Sequence, residues 1–207
     1  MMQLAPVPAA PSTRPVPGEV GTFLPQFRSP LLPDGIAWGA ANGNCGPASI
    51  VNALRLVGLD VPGFQGERSQ AVIDAARRLA TGSVEDGVAT LKTQQAFALR
   101  AAGADVHVTH SLDAGLDAVR SGAVLVLGGD RAARGWPRRS DDPAPSAVAN
   151  HAVVVARALD GDPDRFVVFD PALPAPTVVD GTQLDAFTQA VTGARMPRLG
   201  LVVRAPA

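Results

Sequence analysis

Two apolar runs in the second half of the chain constrain the fold more than any other feature. Residues 150–156 and 165–170 are rich in valine and phenylalanine, and the segment between them, 160–164, consists of Asp, Gly and Pro. Branched and aromatic residues favour strands, whereas Asp, Gly and Pro favour turns. The pattern therefore predicts an antiparallel β-hairpin. The hairpin brings His151, at the start of the first strand, and Asp170, at the end of the second, to one end of a sheet.

The register of this hairpin decides how close the two polar residues come. If Ala158 pairs with Arg165, Asp170 lies opposite Val153, and His151 is one diagonal step away on the same face. That separation is within reach of long side chains. A register one step tighter makes Asp170 the direct partner of His151. Either register can hold a carboxylate against an imidazole, and this arrangement orients a histidine as a general base.

The only cysteine lies in a Gly-rich turn directly before a helical pattern. Apolar residues recur every three or four positions from Ile50 to Val57, and Gly58 ends the pattern. Pro47 fits the first turn of a helix, where its missing N–H is not needed. Cys45 is therefore expected at a helix N-terminus, where unpaired N–H groups and the helix dipole favour a thiolate. The alternative interpretation of a lone cysteine is a small buried hydrophobic residue.

These three elements, in this order and spacing, resemble the C39-like group of papain-fold cysteine peptidases. The matching segments are Cys-Gly-Pro-Ala-Ser at 45–49, a His-Ala-Val-Val-Val strand from His151, and a strand that ends in Asp-Pro at Asp170. The helix and buried strand expected over 112–129 also fit, and the resemblance covers roughly residues 22–204. It implies an α+β, papain-like two-lobed fold, with Cys45 in an N-terminal helical lobe and His151 and Asp170 in a C-terminal antiparallel sheet lobe.

The same resemblance implies the roles of the site residues. Cys45 would be the nucleophile, His151 the base and Asp170 the residue that orients it. The family also uses an oxyanion donor upstream of the cysteine, usually glutamine, but the sixth residue before Cys45 is a glycine. Gln26 is the first candidate, and Asn44 and Asn42 are the alternatives. The backbone N–H of Cys45 would be the second donor.

The chain is long enough for one domain with a sizeable core. Residues 1–21 are rich in Pro and Ala and are expected to form a disordered leader, and 22–207 to form the peptidase-like domain. The leader lacks the basic start and apolar core of a Sec signal peptide, and no apolar run is long enough to span a bilayer. The sequence thus favours a cytoplasmic protein or secretion by another route.

Three further segments carry expectations of their own. A helix is predicted over 66–80, and another over 86–102 with a capping pattern at 83–86 and a buried face that its apolar residues form: Val88, Leu91, Phe97 and Leu99. Thr182 is expected to cap a helix that begins near 181. The polar stretch 128–145, with four arginines around Trp136, is either a substrate-gripping loop over the cleft or a solvated loop.

Taken together, the residues and the resemblance predict a cysteine peptidase that acts on a protein or peptide, with cleavage after Gly-Gly as one specificity. A net charge of −1 gives no case for nucleic acid or membrane as a partner, and no cofactor or metal is expected. The near absence of lysine has two interpretations, GC-rich coding or a secreted toxin or effector that acts inside a ubiquitin-using cell and has lost its lysines. An immunity protein or inhibitor would be a partner of such an effector. The alternative functions are a papain-fold glutamine deamidase and a retired binding module.

Overall fold

The computed structural model describes residues 21–25, 43–84, 90–138, 150–192 and 200–206. The described residues form five helices, which are α1 (Cys45–Leu56), α2 (Gln70–Thr81), α3 (Lys92–Ala101), α4 (Leu112–Arg120) and α5 (Gly181–Thr192). They also form six strands, which are β1 (Asp105–Thr109), β2 (Val124–Asp130), β3 (Asn150–Leu159), β4 (Asp162–Phe169), β5 (Thr177–Asp180) and β6 (Gly200–Arg204). None of these helices is long and apolar enough to cross a membrane.

The six strands form one antiparallel sheet in the order β1-β6-β2-β3-β4-β5. Helices α1, α2 and α3 pack on one face, and α4 and α5 pack on the other. Alternation along the central strands supplies both faces with apolar side chains. In β3, for example, Val154 belongs to the core beneath α1, whereas Val153 and Val155 belong to the core beneath α4 and α5. The predicted α+β fold, with helices first and an antiparallel sheet after them, is confirmed.

The predicted hairpin is formed by β3 and β4. Next to Asp170 its register is the first of the two considered, since Val154 pairs with Phe169. Further from the site the register shifts, and Ala158 pairs with Phe166 rather than with Arg165. The turn is also shorter than expected, because β4 already begins at Asp162. The irregularities lie at the far end of the hairpin and leave the His151 end in the expected register.

The cysteine-bearing helix agrees with its sequence pattern. It begins at Cys45, ends at Leu56, and is buried from Gly46 to Leu54. Gly58 follows with φ of 76°, a left-handed conformation that glycine adopts without strain. Residues 21–25 are anchored to this helix by Asn52. The Asn52 side chain accepts a hydrogen bond from the Leu24 N–H (2.7 Å) and donates one to the Leu24 carbonyl (2.9 Å). The predicted leader and its boundary at residue 22 remain predictions, since residues 1–20 lie outside the described part.

The helix predicted over 66–80 is formed but begins at Gln70, after the cap Ser69, and predictions about two further helices are wrong. Helix α3 begins at Lys92, not at 86, and the side chain of Gln94 accepts a hydrogen bond from the Leu91 N–H at its start. Its buried face contains Leu99, but Leu91 and Phe97 are exposed, because Gln95 and two alanines occupy the inner positions instead. Val88 lies outside the described residues.

The other error concerns α5. Its cap is Asp180 rather than Thr182: the Asp180 carboxylate accepts from the Gln183 N–H (2.8 Å), and the Gln183 amide oxygen accepts from the Asp180 N–H (2.9 Å). This reciprocal pair satisfies two N–H groups at the helix start. Threonine 182 is the second residue of the helix. The sequence signal that identifies the cap is therefore Asp followed three residues later by Gln.

Helix α5 approaches β2 so closely that only glycine fits beneath it. A Cβ built on Gly129 would lie 2.2 Å from the Phe187 ring and 2.4 Å from the Phe187 carbonyl oxygen. The backbone of α5 itself therefore blocks any side chain at this position. Phe187 in turn stacks on Trp136, with ring centroids 4.1 Å apart. Gly129 pairs with His151 across the β2–β3 ladder, so this contact positions α5 beside the site.

Replacing Gly129 with alanine should lower the free energy of unfolding by about 1–3 kcal/mol, because the added methyl group overpacks a rigid backbone contact. Urea unfolding followed by circular dichroism measures the loss. Gly128→Ala is the matched control, since its Cβ would come no closer than 3.3 Å to any atom, Lys92 Cε being the nearest, and would lie 3.9 Å from the His151 carbonyl oxygen. Equal stability of the two variants would show that α5 does not depend on the contact.

Candidate active site

Cys45 is the first residue of α1, and its surroundings explain the glycine that follows it. A Cβ on Gly46 would lie 1.8 Å from Thr90 Oγ1 and 2.8 Å from Gln95 Nε2. No larger residue fits there unless the segment leading into α3 moves away. Cys45 itself is partly exposed. The nucleophile position is therefore open to a reagent, while the backbone next to it is tightly covered.

His151 and Asp170 meet at the end of the β3–β4 hairpin. His151 Nε2 lies 2.6 Å from Asp170 Oδ1, and both residues are buried. Because Nε2 is engaged by the carboxylate, Nδ1 is the ring nitrogen left for the Cys45 thiol, which forms a hydrogen bond with His151. The structure thus brings together the three residues predicted from the sequence. The imidazole holds the carboxylate at one ring nitrogen and lowers the pKa of the Cys45 thiol from its other side.

The carboxylate of Asp170 is fixed by several donors. Its Oδ1 accepts from the Ala172 N–H (2.9 Å) as well as facing His151, and its Oδ2 accepts from Trp136 Nε1 (3.0 Å). The Arg131 guanidinium lies 3.7 Å from Oδ2. A fully buried carboxylate is costly unless it is hydrogen-bonded and paired. These partners keep Asp170 ionised and prevent its rotation away from His151.

The charges of the three groups follow from these contacts. Burial raises the pKa of Asp170, but His151, Arg131 and Trp136 outweigh it and lower the pKa to about 2. Burial lowers the pKa of His151, but Asp170, together with the Cys45 sulfur, raises it to about 9. Near neutral pH the carboxylate is therefore ionised and the imidazole carries a proton.

The thiol responds to the same network. Burial by itself raises the pKa of Cys45, but the hydrogen bond and the positive charge of His151 outweigh it. The N–H groups of Ala152 and Gly46 also bond to the sulfur, so the pKa is lower than that of an ordinary thiol. This is the environment of a thiolate–imidazolium pair, in which the sulfur is a strong nucleophile.

The interpretation of residues 128–145 as a substrate-gripping loop is wrong for the part that the structure describes. Gly128 to Asp130 complete β2, Trp136 is buried between Asp170 and Phe187, and Arg131 is only 9% exposed. These side chains support Asp170 rather than reach for a substrate. Two members of the arginine and tryptophan pattern, Arg131 and Trp136, thus stabilise a buried carboxylate, whereas Arg134 and Arg138 are exposed. Residues 139–149 lie outside the described part.

Of the three predicted oxyanion donors, the structure describes only Asn44. Gln26 and Asn42 lie outside the described residues and stay predictions. Asn44 is fully buried, and its amide accepts a hydrogen bond from Arg77 and donates to Gln70 Oε1 (3.4 Å). This placement against α2 favours a structural role for Asn44. The described residues contain no cluster of three His, Cys, Asp or Glu side chains that could hold a metal ion.

Sequence reasoning missed the support for the site that comes from α3. Lys92, the only lysine in the chain, lies beside Cys45 closely enough to interact with its charge, and Gln95 holds its ammonium at 3.0 Å. Thr90 and Gln95 cover Gly46. The only sequence signal for Lys92 was that the chain contains a single lysine. Its proximity to Cys45 could not be predicted, because the two residues are far apart in the sequence and lie on different helices.

By sequence, the chain matches no family model and no curated protein. By structure, it is similar to the peptidase domain of Streptococcus ComA, described as a bi-functional ABC transporter involved in a quorum sensing pathway. The TM-score is 0.54 at 13% identity, over 90% of this chain and 99% of that one. It is also similar to a C39-like peptidase from Bacillus anthracis, with a TM-score of 0.54 at 12% identity over 94% and 100%. The fold is that of the C39 peptidase domains. The resemblance predicted from the three motifs is confirmed at this level.

Removing the imidazole should abolish the depression of the thiol pKa. In His151→Ala the pKa of Cys45 is expected to rise above that of an ordinary thiol, because the cation and its hydrogen bond are lost while burial remains. The rate of iodoacetamide alkylation against pH measures it, and the single cysteine makes the readout specific. His107→Ala is the control, since that ring is exposed and bonded to Asp105. Identical profiles in all three proteins would contradict the assigned contact.

Proposed function

We propose that the protein is a cysteine peptidase in which Cys45 is the nucleophile, His151 the general base and acid, and Asp170 the orienting carboxylate. The observation that carries the proposal is the buried His151–Asp170 pair, 2.6 Å apart, beside a cysteine at a helix start whose pKa the imidazole lowers. A peptidase-domain fold around these residues supports it. The same geometry argues against a retired binding module, which has no need for a depressed thiol pKa.

The reaction follows from the charge state of the pair. The Cys45 sulfur forms a bond to the carbonyl carbon of the scissile amide, and the carbonyl π electrons move to the oxygen as an oxyanion. The backbone N–H of Cys45 would donate to that oxygen, since the first N–H groups of a helix such as α1 have no partner within it. When the C–N bond breaks, the imidazolium of His151 gives its proton to the leaving amine, and a thioester remains.

Hydrolysis of the thioester reverses these roles. His151, now neutral, removes a proton from water as the hydroxide oxygen bonds to the acyl carbon, and the C–S bond then breaks to restore the thiolate. Asp170 remains ionised throughout, with the hydrogen bonds of Trp136 and Ala172 fixing its direction. Its function is to hold the ring so that Nδ1 faces the sulfur and to stabilise the imidazolium.

The substrate part of the proposal is a protein or peptide cleaved after small residues such as Gly-Gly, as the resemblance implies. The cellular part is a secreted effector or toxin; the chain's single lysine fits this role but fits GC-rich coding equally. Deamidation of protein glutamines uses the same nucleophile and base, and the two reactions differ in whether the broken amide lies in the main chain. An experiment must therefore determine whether the protein cleaves main-chain amides or glutamine side-chain amides.

Wild type and Cys45→Ala, expressed in parallel in a bacterial cytosol and incubated as purified proteins with a proteome-derived peptide library, should differ in new N-termini. N-terminal proteomics is expected to find them with wild type alone. His107→Ala serves as the active control. Glutamine-to-glutamate conversion without new termini would establish the deamidase instead. A wild-type protein with no cysteine-dependent product of either kind would contradict an enzymatic function.

Trp136→Phe is expected to lower kcat by about tenfold with little change in KM, because the stack on Phe187 is kept while one hydrogen bond to the buried carboxylate is lost. Phe187→Leu is the matched variant, which removes the stack but keeps the indole N–H. It should lower the melting temperature more than it lowers kcat. Steady-state kinetics on a peptide identified in the library separates the two. A KM effect without a kcat effect in Trp136→Phe would place the indole in substrate binding.

A further inference from the structure

The Lys92 side chain reaches from α3 to the β2–β3 strand pair, close to where this pair meets Cys45. A Cβ on Gly128 would be 3.3 Å from Lys92 Cε and 3.9 Å from Nζ, so the ammonium lies over Gly128. Gly128 pairs with Ala152 in the β2–β3 ladder, and the N–H of Ala152 bonds to the Cys45 sulfur. The cation is thus carried from α3 to within the electrostatic reach of the sulfur.

Gln95 holds this lysine in place. It is 2% exposed, and its Oε1 accepts from Lys92 Nζ at 3.0 Å. Its Nε2 donates to the Thr90 carbonyl (3.2 Å) and hydroxyl (3.1 Å), and the same Nε2 packs against Gly46. Both ends of a buried amide are therefore used to link Lys92 to the residue next to Cys45. A solvated surface lysine needs no such support.

We propose that Lys92 is a second cation of the active site, which stabilises negative charge at the Cys45 sulfur and attracts anionic groups that approach it. The catalytic consequence rests on the proposed peptidase function, since the oxyanion oxygen is attached to the carbon that bonds to that sulfur. The charge coupling itself does not depend on any substrate. Gln95 is a positioning residue, which holds the Lys92 ammonium.

The electrostatic balance agrees with this geometry. Burial lowers the pKa of Lys92 and the Cys45 charge raises it, with a net value of about 7. The cation is therefore present below neutral pH and is lost as the pH rises through about 7. Within the described part of the chain, the other charged groups on the elements packed around the site include His151, Asp170 with Arg131, and Arg77 on α2, which bonds to Asn44.

The test compares the alkylation of Cys45 by anionic iodoacetate and by neutral iodoacetamide. Thiolate formation affects both rates equally, so their ratio reports the field that an incoming anion meets. Lys92→Met is expected to lower the ratio about fivefold at pH 6, since one nearby cation is removed. Arg100→Met, which removes one charge two turns further along α3, is the control and should leave the ratio unchanged. Gln95→Leu should lower it by a smaller factor.

The pH dependence distinguishes Lys92 from His151. In wild type the ratio should fall as the pH rises through about 7, where Lys92 loses its proton, and in Lys92→Met this fall should be absent. A fall that persists in the variant, or equal ratios in folded wild type and Lys92→Met, would overturn the proposal. Folding is checked by thermal unfolding of each variant.

A second measurement applies if Lys92 variants fail to fold. Reductive ¹³C-methylation keeps the lysine charge and labels only Lys92 and the terminal amine, because the chain has no other lysine. An NMR titration then gives the pKa of Lys92 directly. By linkage, Cys45→Ala should lower it, because the thiolate that raises it is gone. An unchanged pKa would overturn the coupling, and it would do so whether or not any peptide is cleaved.

Discussion

The buried carboxylate of Asp170 is the interaction on which the rest of the site depends. It has no exposed surface, so its charge is stable only because His151, Trp136, Ala172 and Arg131 surround it. Most of the fold near the site serves this one group. Gly129 allows α5 to approach, α5 presents Phe187, and Phe187 stacks on the indole that donates to Asp170. Asp170 raises the proton affinity of the His151 imidazole, and the resulting imidazolium lowers the pKa of the Cys45 thiol.

The site joins the two layers of the molecule. His151 lies on the same face of β3 as Val153 and Val155, which pack against α4 and α5, whereas α1 packs on the opposite face of the sheet. Cys45 can meet His151 because it is the first residue of its helix and lies at the end of the strands rather than over their middle. Lys92 and Gln95 reach the same place from α3. Residues from three separate parts of the chain thus set the reactivity of one sulfur.

Much of this arrangement could be predicted from the sequence because it is local. The helix after Cys45 and the hairpin between His151 and Asp170 are determined by short-range patterns of apolar, Gly and Pro residues, and the hairpin register near Asp170 agreed with one of the two considered. The functions of Trp136, Arg131 and Lys92 could not be predicted, because each depends on a contact between distant segments. Exposed Leu91 and Phe97 show the same limit: helical spacing alone did not identify which face of α3 is buried.

The central claim is that Asp170 and Cys45 together keep His151 protonated at neutral pH. Ring ¹⁵N NMR of the intact protein titrated with pH measures this most directly, and the three histidines can be assigned with His107→Ala and His110→Ala. The account predicts an imidazolium for His151 at pH 7 that loses its proton near pH 9. A His151 ring that is already neutral at pH 7, with a pKa at or below the ordinary value of about 6.5, would contradict it.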